Sequence, residues 1–285
     1  MHIVIATDLD RTLLPNGKQA YDNSIPIFND IIKREKLTLI YATGRNINQL
    51  NDAVKKYHLL MPDYFIAEVG TRLYTKKGNK LVEDKDWLKT IDTMTPNWNI
   101  DIFKQELSVI NGLRLQEPEN QNKFKLSYYI DDLSNAETIV RAVTKIIKAI
   151  CPSDDAVKAC CTESAIVYSV DELHNIGLLD ILPRGATKLT TLEYLRKKLG
   201  LKKRQIIYCG DSGNDILPLT SGYRAIMVRN ARAEVKKAVE ELAIKNNNLD
   251  NLYISKGYKK LNGYYVSGII EGLINFNVVS EDYLG

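Results

Sequence analysis

The sequence has few cysteines, and their spacing does not indicate a metal site or a disulfide framework. The four cysteines, Cys151, Cys160, Cys161 and Cys209, lack metal-ligand spacing. We expect the adjacent Cys160 and Cys161 to pack as small apolar side chains. A reducing cytoplasm is the simplest prediction for such a chain.

Long hydrophobic runs and strong net charge are also absent. The chain has no run of eighteen apolar residues, so we expect no transmembrane helix. It enters a strand with an acidic end almost at once, which argues against a signal peptide. The net charge of +4, without a cluster of basic and aromatic residues, does not favour nucleic-acid binding. With 285 residues and 45% hydrophobic content, the chain can bury a sizeable core.

The first predicted strand ends in two acidic residues. Residues 3–7 form a short apolar run, and Asp8 and Asp10 follow it. Residues two apart on an extended chain point to the same side, so both carboxylates should emerge together. The carboxyl end of a strand is where open α/β sheets bind ligands. Two carboxylates so close repel each other, and a divalent metal would satisfy both their charge and their geometry.

Later segments repeat this design of an apolar run that delivers a polar group. In order they present Thr43-Gly44-Arg45 after residues 37–42, Lys188 at the start of a predicted helix, and Asp211 and Asp215 after residues 205–209. Alternating strands and helices predict a mainly parallel sheet with right-handed crossovers. Thr43 alone could be a helix cap and Lys188 alone a surface cation. Their order and their positions together favour one catalytic site.

This ordered set resembles the haloacid dehalogenase (HAD) superfamily of phosphohydrolases, whose signature is DxDx[TV], then Ser or Thr, then Lys, then GDxxxD. The matching positions are residues 8–12, Thr43, Lys188 and residues 210–215. The resemblance implies an α/β fold with a Rossmann-like core. It also implies that Asp8 is a nucleophile that forms an aspartyl-phosphate. Asp10 would act as general acid and then as general base, and Thr43 and Lys188 would donate to the phosphoryl oxygens.

The cofactor that this resemblance implies is Mg²⁺, because an all-oxygen site at a phosphate favours that ion. Asp8, the backbone carbonyl of Asp10 and Asp211 would hold it. Asp215 would bind a metal-bound water or orient Lys188. The predicted metal residues are therefore Asp8, Asp10, Asp211 and Asp215.

The middle of the chain has a different hydrophobic pattern, which predicts an inserted α+β cap domain. Residues 124–130 alternate like a strand with one solvated face, a helix follows residue 134, and a strand spans about residues 165–170. We therefore predict a core domain over residues 1–82 and 173–285 and a cap over residues 83–172. Residues 178–182 are predicted to be the return to the core sheet.

A second resemblance, to sucrose-6-phosphate phosphatases of the cyanobacterial and plant type, extends along the whole chain. It is carried by residues 41–45, 61–64, 69–70, 125–128, 182–183, 209–215 and 228–231. It implies a Mg²⁺-dependent phosphatase that releases sucrose and phosphate, with the sugar pocket in the cap. The substrate contacts that it suggests are Thr43, Gly44, Arg45, Lys125, Lys188 and Asn214. Glu68 and Arg184 are weaker candidates, on their position in the sequence alone. Lys125 could equally be an exposed strand lysine.

Two departures bear on specificity. Leu189 follows the catalytic lysine where the family usually has Gly, and the cap is longer than expected around residues 98–122. A phosphatase for a mannosylfructose, glucosylglycerol or mannosylglycerate phosphate therefore stays open. So do a phosphotransferase or phosphomutase on the same scaffold and, with less support, a non-catalytic sugar-phosphate-binding domain. The expected partners are a phosphorylated sugar and a glycosyltransferase that makes it, with no nucleic acid or membrane, and the expected state is a monomer or dimer.

Overall fold

The computed structural model describes residues 2–96, 98–150, 164–171 and 173–284. The predictions for Cys151, Cys160 and Cys161 lie outside these ranges, whereas Cys209 is a buried free thiol. No helix in the described ranges combines the length and the apolar character that crossing a membrane requires.

Strands and helices alternate, as the sequence predicts, over residues 4–67 and again over residues 188–275, and the elements between these two stretches do not alternate strictly. The strands are β1 Val4–Thr7, β2 Thr38–Ala42, β3 Tyr64–Ala67, β4 Arg72–Lys77, β5 Lys80–Glu83, β6 Leu113–Leu115, β7 Leu126–Ile130, β8 Ser164–Asp171, β9 Ile176–Pro183, β10 Ile206–Gly210, β11 Arg224–Met227 and β12 Leu252–Ile254. The helices are α1 Ile25–Arg34, α2 Ile47–Tyr57, α3 Lys85–Met94, α4 Ile100–Leu107, α5 Ala136–Ile150, α6 Lys188–Lys198, α7 Ile216–Leu219, α8 Ala233–Lys245 and α9 Val266–Asn275.

The larger sheet has the strand order β12-β11-β10-β1-β2-β3-β4-β5. Pairing is parallel from β12 to β3 and antiparallel from β3 to β5, which confirms the predicted mainly parallel sheet. β1 lies in the centre, with Val4 opposite Ile206 on one side and Thr38 on the other. The carboxyl ends of β1, β2 and β10 therefore meet at one point on the sheet edge.

Helices cover both faces of this sheet, so its central strands are apolar on both sides. On one face Ile5, Tyr41 and Ile207 pack in a buried cluster with residues of α1, α2 and α9. On the other face Val4, Ile40 and Tyr208 pack in a cluster with residues of α3, α6 and α8.

Helix α9 contains glycines because it lies directly against the sheet. A Cβ on Gly272 would stand 2.6 Å from two side-chain carbons of Ile226 on β11. A Cβ on Gly268 would stand 2.3 Å from the carbonyl oxygen of Gly263. Both glycines cost helix propensity; Gly272 permits the close approach of the helix to the sheet, and Gly268 permits the close approach of the preceding turn.

The second sheet is antiparallel, with the strand order β6-β7-β9-β8. Helices α4 and α5 cover one of its faces, where Phe103, Val143 and Ile181 belong to a separate buried cluster. This is the α+β unit that the middle of the sequence predicts.

The prediction that residues 178–182 return to the core sheet is wrong. Strand β9 pairs with both β7 and β8, with Ile181 opposite Leu126 and Leu182 opposite Ala165. Its half-buried residues alternate with buried ones over most of its length, as expected for a sheet with one solvated face.

Helix α3 lies inside the predicted cap but packs on the core. Its buried residues Trp87 and Ile91 belong to the same cluster as Val4 and Ile40 of the larger sheet. We therefore propose that the inserted unit begins after α3 and ends at Pro183, in place of the predicted boundaries at residues 83 and 172.

Candidate active site

The ends of three adjacent parallel strands position the predicted catalytic residues. Asp8 follows β1, and its amide donates to the Cys209 carbonyl on β10 at 2.9 Å. Thr43 follows β2, and its amide donates to the Ile66 carbonyl on β3 at 3.0 Å. Asp211 follows β10. The sheet hydrogen bonds thus continue into the loops and fix where these side chains start.

Three buried carboxylates meet at this edge. One oxygen each from Asp8, Asp211 and Asp215 lies within 4.8 Å of the others, in a group that could hold a metal ion. Asp211 accepts a hydrogen bond from Thr12 Oγ1 at 2.9 Å through Oδ1. Its buried Oδ2 accepts no hydrogen bond from the residues that the structure describes. Three carboxylates with a free oxygen lone pair are the donor set that Mg²⁺ prefers.

Lys188 is the cation of this cluster and is almost completely buried. Its Nζ lies 3.0 Å from Asp8 Oδ1, 2.9 Å from Asp215 Oδ1 and 2.7 Å from Asn214 Oδ1. It is the first residue of α6, whose N-terminus is closed by a capping box around Thr187. Burial alone would lower the pKa of Lys188, but the two carboxylates outweigh burial and raise it. The lysine is therefore a permanent positive charge beside Asp8.

Asp215 is held by four donors besides Lys188. Tyr208 donates to its Oδ1 at 2.6 Å, and the amides of Asp211 and Ser212 donate to Oδ2 at 3.2 and 3.1 Å. The Ser212 hydroxyl adds a fourth bond at 3.1 Å. Of the two roles that the sequence left open for Asp215, these contacts favour the orientation of Lys188.

Burial makes Asp8 and Asp211 reluctant to ionise without a cation. It raises the pKa of Asp8 well above its usual range; Lys188 opposes this effect, and the neighbouring carboxylates add to it. Burial also raises the pKa of Asp211 to about 7, against the opposing effect of Arg11. Protons and a metal ion therefore compete for the same oxygens.

The carboxylate of Asp10 lies outside the metal group and pairs with Arg45. Arg45 donates from Nε to Asp10 Oδ2 at 2.8 Å and from a terminal nitrogen to Oδ1 at 2.6 Å. Asn16 Nδ2 also donates to Asp10 Oδ1 at 2.6 Å. Arg45, predicted as a substrate contact, thus contacts the predicted general acid in this structure.

A cavity of about 510 Å³ opens over these groups between the two sheets. Its volume is in the range of pockets for small ligands. The predicted residues at its wall are Asp8, Asp10, Thr43, Gly44, Arg45, Lys125, Asp211 and Asn214. Lys188 and Asp215 lie just beneath this wall and reach it through Asp8 and Asn214.

Lys125 is buried and is not an exposed strand lysine. Its Nζ lies 3.9 Å from Asp180 Oδ1, which also accepts a hydrogen bond from Ser127. The weaker candidates lie elsewhere: Glu68 bonds to Asn122 of the cap, and Arg184 lines a second cavity.

Sequence reasoning gave no role to several polar residues in and around the site. The buried Thr12 stands in the DxDx[TV] motif, so its spacing could have indicated its contact with Asp211. The cap residues Gln116, Asn120, Tyr129 and His174 line the cavity. Their positions follow from the antiparallel pairing of the cap, which no short motif indicates.

Curated proteins that resemble this chain are sugar phosphatases and related hydrolases. It is 36% identical over 277 residues to a HAD-like hydrolase of Nitrosococcus oceani, which covers 96% of this chain and 71% of that protein. It is 30% identical to sucrose-phosphatase 2 of Nicotiana tabacum over 82% of this chain and 51% of that protein. It is 26% identical to mannosylfructose-phosphate phosphatase of Agrobacterium fabrum over 95% of both chains. The chain thus spans about half the length of the tobacco protein.

A solved structure shares the fold along almost the whole chain. The sucrose-phosphatase of Synechocystis, solved in complex with sucrose and phosphate, superimposes with a TM-score of 0.75 at 22% identity and covers 97% of this chain and 99% of that chain. The family model for sucrose-6F-phosphate phosphohydrolase matches residues 1–277. The chain therefore belongs to the sucrose-6F-phosphate phosphohydrolase family of sugar phosphatases, within the HAD superfamily.

Proposed function

We propose that this protein is a Mg²⁺-dependent phosphatase that hydrolyses sucrose-6-phosphate to sucrose and phosphate through an aspartyl-phosphate. The observation that carries the proposal is the position of Asp8. Its carboxylate lies at the floor of the cavity, 3.0 Å from Lys188 Nζ and beside Asp211 and Asp215. A buried carboxylate with a cationic neighbour and an open path to a ligand is suited to attack phosphorus.

The proposed reaction has two displacements at phosphorus. An oxygen of Asp8 forms a bond to phosphorus, the bond from phosphorus to the sugar oxygen breaks, and Asp10 gives its proton to that oxygen. Water then attacks the phosphorus of the aspartyl-phosphate, Asp10 accepts the water's proton, and the Asp8 carboxylate leaves. Because Asp10 is paired with Arg45, the acid step requires Arg45 to turn from Asp10 to the phosphate.

The buried residues supply the electrostatic environment for both steps. Lys188, fixed by Asp215 and Asn214, would donate to the phosphoryl oxygens, and the Thr43 hydroxyl would do so from the carboxyl end of β2. The residues that would hold Mg²⁺ are Asp8, Asp211 and the backbone carbonyl of Asp10. The ion would supply positive charge that lets the Asp8 carboxylate approach an anionic phosphate.

The polar wall of the cap supports a sugar as the leaving group. Lys125, just before β7, and Asp180 of β9 form a charged pair, and Gln116, Asn120 and Tyr129 offer further hydrogen-bonding groups at the cavity wall. Hydroxyl-rich ligands need such an array of donors and acceptors. The named relatives favour sucrose-6-phosphate, and mannosylfructose-phosphate is the second candidate, because that relative matches over 95% of both chains.

A panel of sugar phosphates tests the proposal. Phosphate release is measured with Mg²⁺ for sucrose-6-phosphate, mannosylfructose-, glucosylglycerol- and mannosylglycerate-phosphates, with glucose-6-phosphate as a monosaccharide control. We expect the highest kcat/KM for sucrose-6-phosphate, and no activity after EDTA until Mg²⁺ is restored. Multiple turnovers without an acceptor sugar distinguish a phosphatase from a phosphotransferase.

Asp8→Asn provides the catalytic control. It should lower kcat by about 10⁴-fold or more while leaving the circular dichroism spectrum unchanged, because it removes the nucleophile. The matched control is Asp250→Asn, the same change at an exposed residue of the turn Leu249–Asn251, which should retain full activity. Substantial turnover by Asp8→Asn would remove Asp8 from the nucleophile role.

A cytoplasmic location and a substrate-producing glycosyltransferase partner stay predictions.

A further inference from the structure

Arg11, which follows the two acids of the first motif, has a backbone conformation that is unusual for its type. Its φ of 59° lies in the left-handed region, which non-glycine residues seldom adopt. Two asparagines hold it there. Its amide donates to Asn16 Oδ1 at 2.7 Å, and its carbonyl accepts a hydrogen bond from Asn230 Nδ2 at 2.6 Å. Asn230 is itself fixed, because its Oδ1 accepts the amide of Tyr265 at 2.9 Å.

This conformation directs the guanidinium of Arg11 to the acidic group. A terminal nitrogen donates to the Asn230 carbonyl at 3.2 Å, which fixes the plane of the guanidinium. Nε then lies 3.5 Å from Asp211 Oδ2, at the wall of the cavity. Asp211 Oδ2 is also the buried oxygen that accepts no hydrogen bond from the described residues. Arg11 therefore places a positive charge beside an oxygen that is suited to a metal.

The two cations of the cluster have different carboxylate partners. Lys188 contacts Asp8 and Asp215, whereas Arg11 faces Asp211. A divalent ion near Asp211 would be repelled by the guanidinium, and this repulsion is strong because the group is buried. In the cation-free protein the same guanidinium is the larger of two positive charges that compensate the buried Asp211 carboxylate, and Lys188 is the smaller.

We propose that Arg11 is a positioning residue that sets the affinity of the metal site. It holds Asp211 in place without the ion and weakens binding of the ion by charge repulsion. The inference rests on the proposed function only in taking Mg²⁺ as the ion that Asp8 and Asp211 hold. Neutral replacements of Arg11 should therefore bind Mg²⁺ more tightly and be less stable without it.

Isothermal titration calorimetry of the full chain with MgCl₂, without substrate, tests this proposal. Arg11→Gln removes the charge and keeps a polar side chain that reaches about as far as Arg Nε, and Arg11→Asn removes the charge with a residue that tolerates the left-handed backbone. We expect either variant to lower the Kd for Mg²⁺ by about tenfold, from the loss of Coulomb repulsion. Arg11→Lys keeps the charge and should stay near the wild-type Kd. The titrations are run at alkaline pH, where protons compete least for the carboxylates.

A thermal melt of each variant with and without Mg²⁺ is the second readout. Without the ion, Arg11→Gln should have a lower Tm than wild type, and adding Mg²⁺ should raise its Tm by more than it raises that of wild type. The control is Arg34→Gln, which removes the exposed arginine paired with Asp30. It should change neither the Kd for Mg²⁺ nor the rise in Tm on adding the ion. An unchanged or weaker Mg²⁺ affinity in both neutral variants would overturn the proposal. So would an increase in Mg²⁺ affinity in Arg11→Lys equal to that in the neutral variants. Absence of phosphate release would count against the proposed function and leave these binding results interpretable.

Discussion

At the scale of single residues, the site consists of charged groups that are buried because each one has a partner. Lys188 and Asp215 are nearly inaccessible, and their ion pair measures 2.9 Å. An isolated buried charge would cost several kilocalories per mole, so the pair is stable only with its full set of hydrogen bonds. Tyr208 completes that set by donating to Asp215. A residue that touches no substrate can therefore affect catalysis through the position of the lysine.

Tyr208→Phe tests this dependence, with Tyr41→Phe as its matched control. Both tyrosines lie fully buried in the core sheet, and each donates one hydrogen bond, Tyr208 to Asp215 at 2.6 Å and Tyr41 to the Leu60 carbonyl at 2.9 Å. Each change should cost about 1 kcal/mol in the free energy of unfolding, the usual value of one hydrogen bond.

Only Tyr208→Phe should also lower kcat, by about threefold to tenfold, because Asp215 then fixes Lys188 less well. Urea denaturation gives the first quantity and steady-state phosphate release the second. Equal kcat values in the two variants would mean that the tyrosine is structural only.

At the scale of elements, the turn that follows β3 positions the helix that carries the catalytic lysine. Glu68, Val69 and Gly70 have positive φ values of 52°, 63° and 114°. Left-handed backbone is costly for a β-branched residue such as Val69, so the surroundings must hold the turn in place. Its contacts reach both halves of the site: the Val69 amide donates to the Thr43 carbonyl at 3.0 Å, and the Gly70 carbonyl accepts from Thr191 of α6 at 2.7 Å.

Gly70→Ala should disrupt this contact between turn and helix. A Cβ at Gly70 would lie 2.3 Å from the Thr187 carbonyl carbon, so either the turn or the start of α6 must move. We expect a loss of about 2–4 kcal/mol in stability and a fall in kcat, because Lys188 begins that helix.

Gly78→Ala is the control for backbone strain alone. Gly78 also has a positive φ, 59°, but a Cβ there meets nothing within 4 Å. Gly78→Ala should lower the free energy of unfolding by about 1 kcal/mol and leave kcat unchanged. Chemical denaturation and kinetics of the two variants separate steric displacement from strain, and similar values for both would refute the positioning role of the turn.

The sequence predicted the elements whose signal is local and missed those fixed by tertiary contacts. β1, β2 and β10 are short apolar runs that end in polar groups, so both the sheet and the meeting point of Asp8, Thr43 and Asp211 could be predicted. β9 is also apolar, and its assignment to the cap depends on pairing with β7, which periodicity does not encode. The left-handed Val69 could not be expected from its residue type.

At the scale of the whole molecule, hydrogen bonds join the cap to the core. Asn122, before β7, donates from Nδ2 to the Glu68 carboxylate and to Thr71 Oγ1, the latter at 2.8 Å. Its Oδ1 accepts the amide of Phe124 at 2.7 Å and so stays engaged within the cap. The side-chain nitrogen Nδ2 of Asn122 therefore joins the cap to the core through specific hydrogen bonds.

Asn122→Asp should break this tie and leave the local cap structure intact. It keeps the acceptor for Phe124 but places a second carboxylate opposite Glu68, so like charges repel across the contact. We expect KM for the sugar phosphate to rise by about tenfold, and the radius of gyration from X-ray scattering to increase.

The matched control is Asn135→Asp, which makes the same change beside Asp132 within the cap alone. It should leave KM and the radius of gyration unchanged. A compact Asn122→Asp variant with normal KM would show that other contacts hold the cap.

The pKa values of Asp8 and Asp211 affect how the stability of the whole molecule depends on pH. Burial raises the pKa of Asp211 to about 7 and that of Asp8 well above its usual range. In the unfolded chain both aspartates return to about 4. Between these values the two aspartates bind more protons in the folded protein than in the unfolded chain, so their contribution to the stability of the cation-free protein falls as pH rises from about 4 to about 7.

Mg²⁺ should reverse this trend, because it binds the deprotonated carboxylates of the folded protein. The rise in Tm on adding the ion should therefore be small at pH about 5 and large at pH about 8. Melts of wild type at both pH values, with Asp211→Asn beside it, measure the effect. Asp211→Asn replaces one of the titrating groups and a metal ligand, so both its pH slope and its response to Mg²⁺ should shrink. A gain in Tm that is equal at the two pH values would mean that protons and the ion do not compete for these carboxylates.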